Sequence, residues 1–301
     1  MGIRQLFVNK IGIIGYGYWG KVIHKAIKKS GKDVAYIFVR SIPDQRFQFS
    51  YNRSMEPVIE NYKNLVKYRD MNRIFVCTGP LHHHKIIDQL DNIDISDRRV
   101  WCEKPYIIHI DNNREPELVR KIIEGKIFIN YPYIERNLSK QNARELQELY
   151  NQSDTVKISI FSKNQYLRQY SEVEDFIPHH LTILRLLSKA QHSYQPIKFI
   201  IDKSKKIQTI ELESNSNFKK RIIFCLGSTS ILQSSIEFIV KGGQDEKKYI
   251  SDIFNNPVDM NIHMFLNASS EEYQKSCRIS HEMTKYINKV SMGILDLKAK
   301  G

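Results

Sequence analysis

Four short groups of residues in this chain have the types and spacing to do chemistry. Gly15-x-Gly17-x-x-Gly20 could let a backbone turn tightly and present its amides to a phosphate. Thr78-x-Pro80-x-x-His83 and Glu103-Lys104-Pro105 each follow a short apolar run, and Pro105 fixes the chain just after a lysine ammonium. Asp175-x-x-x-His179 sets a carboxylate and an imidazole at i and i+4, on one face of any helix that contains them. Alone, that last pair reads more readily as a helix cap and an ordinary half-buried histidine than as a catalytic pair.

The elements around the glycines sharpen the first group. Ile11 to Ile14 reads as a buried strand, and Val22, Ile23, Ala26 and Ile27 then recur at helical spacing. Gly31 is suited to close that helix, and Val34 to Val39 reads as a second strand. Strand, glycine turn, helix and strand form the context of a dinucleotide-binding site, although a purely structural turn has the same spacing. In the dinucleotide reading Gly15 permits the turn, Gly17 admits a pyrophosphate with Tyr18 and Trp19 beside it, and Gly20 lets helix and strand pack closely. NAD sites carry Asp or Glu at the end of the second strand, whereas this chain has Arg40-Ser41, with Asp44 nearby. An arginine pairs with a 2′-phosphate and a serine donates to it, so NADP(H) is favoured over NAD(H).

Arg73 to Cys77 reads as a strand ending in the Thr78 loop, with a helix from about His84 to Leu90. Consecutive residues point in different directions, so His82-His83-His84 does not supply converging ligands, and no metal is expected. Further strands are expected at 99–102, 126–131, 155–161, 197–201, 209–213, 221–226 and 231–240, and helices at 115–124, 139–150 and 172–187. Pro178 within the last of these raises the alternative that its helix begins there, leaving Asp175 just before the first turn. Ser269 and Glu272 form a capping box for a final helix carrying Tyr273, Cys277, Ile287 and Val290. The fold expected is α/β: a doubly wound Rossmann domain over 1–125, an α/β domain with an open, mostly antiparallel sheet over 126–290, and a frayed tail over 291–301.

Bulk properties narrow the function. The 301 residues are 41% hydrophobic and 26% charged, with no apolar run long enough to span a membrane and only Leu6-Phe7-Val8 near the start, so no secretory signal is expected. Four scattered cysteines form no C-x-x-C pair, which suits a reducing cytoplasm. The net charge of +13 favours an anionic partner. Its lysines and arginines are dispersed, without the signature of a nucleic-acid platform, so a small-molecule substrate is the expected partner, and the charge suits an anionic one. Hydrolase elbows and Walker loops are missing, which leaves redox chemistry.

Taken in order, these motifs resemble the Gfo/Idh/MocA oxidoreductases, the glucose-fructose oxidoreductases and inositol dehydrogenases, over roughly residues 8 to 290. The Gly17-Tyr18-Trp19-Gly20-Lys21 variant is similar to members acting on sugars and nucleotide sugars. The resemblance implies a homo-oligomeric, NAD(P)-dependent enzyme transferring hydride between its cofactor and a sugar-like hydroxyl or carbonyl. By that resemblance Gly15, Gly17, Tyr18, Trp19, Gly20, Arg40, Ser41, Thr78, Pro80, His83, Glu103 and Lys104 contact the cofactor. Lys104 also lies at the reacting hydroxyl, with Asp175 and His179 supplied by the substrate domain. A histidine is suited to take the hydroxyl proton and a lysine to stabilise the alkoxide. The sequence departs from the family at Thr182, where a carboxylate commonly stands, and in lacking the glycines that usually precede the aspartate. A non-catalytic cofactor-binding regulator, or an enzyme using tightly bound cofactor in a transient redox step, remains an alternative.

Overall fold

A computed structural model describes residues 10–41, 57–91, 98–104, 126–131, 140–162, 172–188, 193–202, 207–215, 220–228, 233–242, 245–252 and 257–300. The chain divides into two compact units, one of residues 1–130 and 257–281, the other of residues 131–256 and 282–301.

Six parallel strands build the first unit: β1 (Lys10–Ile14), β2 (Val34–Val39), β3 (Val58–Asn61), β4 (Met71–Val76), β5 (Arg99–Glu103) and β6 (Ile127–Asn130). Their order is β3-β2-β1-β4-β5-β6, so the order in which strands are added reverses between β1 and β4 while all stay parallel. Doubly wound sheets bind ligands at such a switch point, beyond the carboxyl ends of the strands. The strands are apolar almost throughout because helices cover the sheet, as in β1, where Ile11, Ile13 and Ile14 are all buried. Helix α1 (Tyr18–Lys29) buries Ile23, Ala26 and Ile27, and Gly31 (φ +75°) ends it in the left-handed conformation that favours glycine. Helix α2 (Pro80–Asp91) follows β4.

The second unit is a six-stranded sheet with helices α3 (Lys140–Gln152) and α4 (Glu172–Leu187). Its strands are β7 (Thr155–Ser162), β8 (Tyr194–Asp202), β9 (Ile207–Ser214), β10 (Arg221–Ser228), β11 (Gln233–Gly242) and β12 (Asp245–Asp252), in the order β12-β11-β7-β10-β9-β8. Every neighbouring pair is antiparallel except β7 with β10. Period-two alternation puts Val156, Ile158, Ile222, Phe224, Ile236 and Phe238 in the core.

The expected α/β architecture is present, with three differences. The boundary expected at 125/126 falls after Asn130, because β6 completes the first sheet by pairing with β5. The chain also returns to the first unit through helix α5 (Pro257–Asn267) and the start of helix α6 (Ser270–Lys300). There Phe265 packs edge-on against Phe75 and Trp101 at ring separations of 5.0 and 5.3 Å. The Tyr273 hydroxyl accepts from the Val100 amide at 3.0 Å and donates to the Lys126 carbonyl at 2.9 Å, joining α6 to β5 and to the start of β6. Finally, 291–300 is not a frayed tail: α6 runs to Lys300, with Ile294 fully buried one turn beyond Val290. The capping box at its start is formed, Glu272 N donating to Ser269 Oγ at 3.2 Å and Ser269 N to Glu272 Oε2 at 2.7 Å. The helix expected at 115–124 lies outside the described residues. Among the described helices none is long and apolar enough to cross a membrane.

Candidate active site

The carboxyl edge of the first sheet gathers most of the residues singled out above. Gly15 leaves β1 with φ +91°, and a Cβ there would stand 2.8–2.9 Å from the backbone of Cys77 and Thr78. Its amide donates to the Phe38 carbonyl at 2.8 Å. A Cβ on Gly20 would lie 2.1 Å from the Gly15 carbonyl oxygen, so the turn closes on the helix only with glycine there. Gly17 differs from both, since nothing among the described residues lies within 4 Å of where its Cβ would be. It is the N-cap of α1, with no side-chain cap and no acidic residue in the first turn.

The helix therefore presents uncapped amides and its positive dipole end to open space, which suits an anion held by backbone donors. The arrangement fits the diphosphate of a dinucleotide. Tyr18 and Trp19, 62% and 40% exposed, stand edge to face beside this opening with ring centroids 5.5 Å apart.

A strut behind the turn escaped the sequence reading. Tyr16, between the first two glycines, has its hydroxyl 2.6 Å from Nδ1 of His24, a buried residue on α1. A spacing of eight residues across a turn carries no signature that would betray this contact.

Arg40 and Ser41 lie exposed at the end of β2. The Arg40 carbonyl accepts from Asn61 Nδ2 at 2.9 Å, which ties the end of β2 to β3. Asp44 lies outside the described residues. In the neighbouring loop Thr78 Oγ1 is buried and has no hydrogen-bond partner among the described residues. Pro80 opens α2, a position that needs no N–H donor. His83 is buried at 2% exposure with Nε2 2.8 Å from the Thr78 carbonyl, so it braces the loop from within, while His82 is exposed.

Glu103 ends β5 and Lys104 follows it, at 5% and 8% exposure. Glu103 Oε1 accepts from Trp101 Nε1 at 2.9 Å and from Asn130 Nδ2 at 3.0 Å, and Asn261 Nδ2 donates to Asn130 Oδ1 at 3.3 Å. Neutral donors thus anchor this buried carboxylate immediately before the lysine. Asn130 and Asn261 had no signal in the sequence because only the β5–β6 register and the return of α5 bring them here. Burial, reinforced by the charge of Glu103, raises the Cys77 and Cys102 thiols well above their usual range, so neither is a ready nucleophile.

Asp175 and His179 lie on α4, in the second unit. The helix runs unbroken from Glu172 to Leu187 with Pro178 inside it, so Asp175 is in the helix, one turn before His179, rather than ahead of its first turn. His179 is half-buried. His180 is fully buried, with Nδ1 2.9 Å from the Phe176 carbonyl, Nε2 3.1 Å from the Cys225 carbonyl and its ring against Phe224. Burial lowers its pKa to about 4, so it is a neutral core group at physiological pH. Thr182 is also buried, its hydroxyl donating to the Pro178 carbonyl at 2.6 Å.

Comparison with known proteins agrees with this geometry. Residues 9–116 match the Gfo/Idh/MocA family model, an oxidoreductase family with an NAD-binding Rossmann fold. This segment is similar to the nucleotide-binding domain of that family, which the ordered motifs also resemble. No curated protein matches the chain by sequence. Among solved structures, KijD10, a 3-ketoreductase from Actinomadura kijaniata crystallised as a mutant in complex with TDP-benzene and NADP, superposes with a TM-score of 0.68 at 14% identity, covering 94% of this chain and 97% of that one. The myo-inositol dehydrogenase of Lactobacillus casei, in complex with NAD(H) and myo-inositol, gives 0.60 at 14% identity over 93% and 94% of the two chains. The scyllo-inositol dehydrogenase of the same organism gives 0.61 at 14% identity over 96% of each. At these identities the superpositions establish a shared fold.

Proposed function

We propose that this protein is an NAD(P)-dependent oxidoreductase that interconverts a hydroxyl and a carbonyl on a sugar-like substrate, with NADP(H) preferred. The observation that carries the proposal is the glycine turn. Gly15 and Gly20 are required by the protein's own packing, while Gly17 leaves open space before uncapped helix amides. When bound, the nicotinamide supplies the hydride acceptor or donor.

The protein's residues supply the rest. The α1 amides hold the diphosphate, and exposed Arg40 and Ser41 meet the adenosine ribose. Lys104, next in the chain to the anchored Glu103, stabilises negative charge on the reacting oxygen. His179 takes the hydroxyl proton during oxidation and returns it during reduction, with Asp175 as its partner one turn away on α4. His83 and Glu103 act as positioning residues beneath the loop and the lysine.

Neighbours of this fold bind NADP in one case and NAD(H) in another, so the cofactor preference rests on Arg40-Ser41 in place of an acidic residue. The complexes with inositols and a TDP compound support a polyhydroxylated substrate, and the net charge of +13 suits a phosphorylated one. All four cysteines are buried free thiols, as suits a reducing compartment such as the cytoplasm.

The test is a screen of polyols, sugars and nucleotide sugars for substrate-dependent change in nicotinamide absorbance. A substrate whose turnover is abolished by Lys104→Ala, in a variant that stays folded, supports the assignment. Unchanged turnover in that variant refutes it.

A further inference from the structure

We propose that the paired arginines Arg73 and Arg99, at the amino edge of the first sheet, form a binding site for a phosphate-type oxyanion, separate from the glycine turn. The two are register partners on the parallel strands β4 and β5, so their side chains leave the same face of the sheet from backbones about 4.8 Å apart. Like charges directly opposite each other on neighbouring strands repel. Neither guanidinium has an ion-pair partner among the described residues to offset that repulsion. Asp70, just before β4, is held by Lys10 and Tyr36. Glu272, which the charge of Arg99 reaches, is held by the Ser269 amide in the capping box.

The hydrogen bonds show which donors remain. Arg73 Nη1 donates to the Asn72 carbonyl at 3.0 Å, whereas Nε is buried without a partner, and Nη2 beside it makes no hydrogen bond among the described residues. That Nε–Nη2 edge is a fork that grips an oxyanion with two parallel hydrogen bonds. Arg99 is tied down next to it, its Nη1 donating to the Ala268 carbonyl at 2.5 Å and its guanidinium 5.1 Å from the centroid of the Tyr273 ring. Burial, and then the charge of Arg99, lowers the Arg73 guanidinium to about 10, so this cation sits where both its surroundings and its neighbour disfavour it. An oxyanion between the two side chains satisfies Nε and neutralises the pair. Phosphate suits the task better than a single carboxylate, because its tetrahedral oxygens and higher charge serve two forks at once. Arg99 and Glu103 lie at opposite ends of β5, about 13 Å apart along the strand, so the site stands independently of the nucleotide reading.

The test is thermal melting of the full chain in inorganic phosphate over roughly 0.1 to 10 mM, with ionic strength held constant by sodium chloride. A saturable rise of about 2–4 °C is expected, corresponding to a dissociation constant on the order of 1 mM. Arg73→Met and Arg99→Met, which keep an apolar stem and remove one fork, should each lose that rise. Arg73→Lys, a milder variant that keeps the charge without the fork, should weaken phosphate binding by about tenfold. Gly17→Ala, at the nucleotide turn, should keep the rise. No saturable rise in the wild-type protein, a rise that survives the arginine substitutions, or one abolished by Gly17→Ala would each overturn the proposal, the last by placing the phosphate at the glycine turn.

Discussion

Substituting the three glycines of the turn by alanine separates what the fold needs from what a ligand needs. Gly20→Ala puts a methyl group 2.1 Å from the Gly15 carbonyl oxygen, so turn and helix must separate by more than an ångström. Overpacking of that kind costs about 2–4 kcal/mol, or roughly 5–15 °C in melting temperature for a chain of this size. Gly15→Ala adds the strain of a positive φ to a backbone contact at 2.8 Å and should be at least as damaging.

Gly17→Ala should behave differently, because Gly17 has φ −75° and ψ −154°, extended backbone open to alanine, and its Cβ would have no neighbour within 4 Å among the described residues. Alanine is a poorer N-cap than glycine by roughly 0.5 kcal/mol, offset by a similar reduction in unfolded-chain entropy. Its melting temperature should therefore stay within about 2 °C of wild type. The new methyl group would nonetheless stand where a diphosphate approaches the α1 amides, and losing those hydrogen bonds should weaken NADH and NADPH binding by about 10- to 100-fold. Thermal melts and fluorescence titration on the three variants provide the assay. A Gly17→Ala protein that binds the nucleotides as tightly as wild type would refute the reasoning.

Three further outcomes follow from the same structure. Lys104→Ala should lower kcat by about 10²- to 10⁴-fold while cofactor affinity changes far less, as measured by steady-state kinetics beside a binding titration. Arg40→Asp should move the ratio of NADPH to NADH affinity toward NADH by about tenfold or more, through repulsion of the 2′-phosphate, and an unchanged ratio would remove Arg40 from the cofactor argument. His180, lowered to about 4 by burial, takes up a proton in the unfolded chain at a higher pH than in the folded one. Its contribution to stability is thus present above about pH 6.5 and is lost as pH falls toward 4, amounting to roughly 3 kcal/mol that denaturant melts at a series of pH values should show and His180→Leu should remove.

The parts of the fold visible in the sequence were those written in local spacing. The β1–α1–β2 unit, the strand ends at Cys77 and Glu103, α4 and the capping box at Ser269 each depend on residues within a few positions of one another. The 3₁₀ helix at Tyr62–Lys67, β3, β12 and α5 had no counterpart in that reading. The strand β12 is hard to see because an edge strand rich in charge lacks the alternation that marks a half-buried one. The return of 257–281 to the first unit depends on long-range packing, such as Phe265 on Phe75 and Trp101, and no local pattern encodes it.

The candidate site divides in the same way. Its glycines, Arg40 and Lys104 were legible by type and place. The Tyr16–His24 contact and the Glu103–Asn130–Asn261 chain of hydrogen bonds join residues that only the folded register brings together.

The central claim, a nicotinamide dinucleotide held at the glycine turn, is tested most directly by titrating the purified protein with NADH and NADPH and following fluorescence. Trp19 is exposed beside the turn while Trp101, the other tryptophan, is fully buried in the sheet. Binding should therefore quench tryptophan emission and enhance nicotinamide emission, more tightly for NADPH than for NADH, and Trp19→Phe should remove most of the quench. Absence of binding by either nucleotide, in protein shown by mass spectrometry to carry none already, would contradict the account.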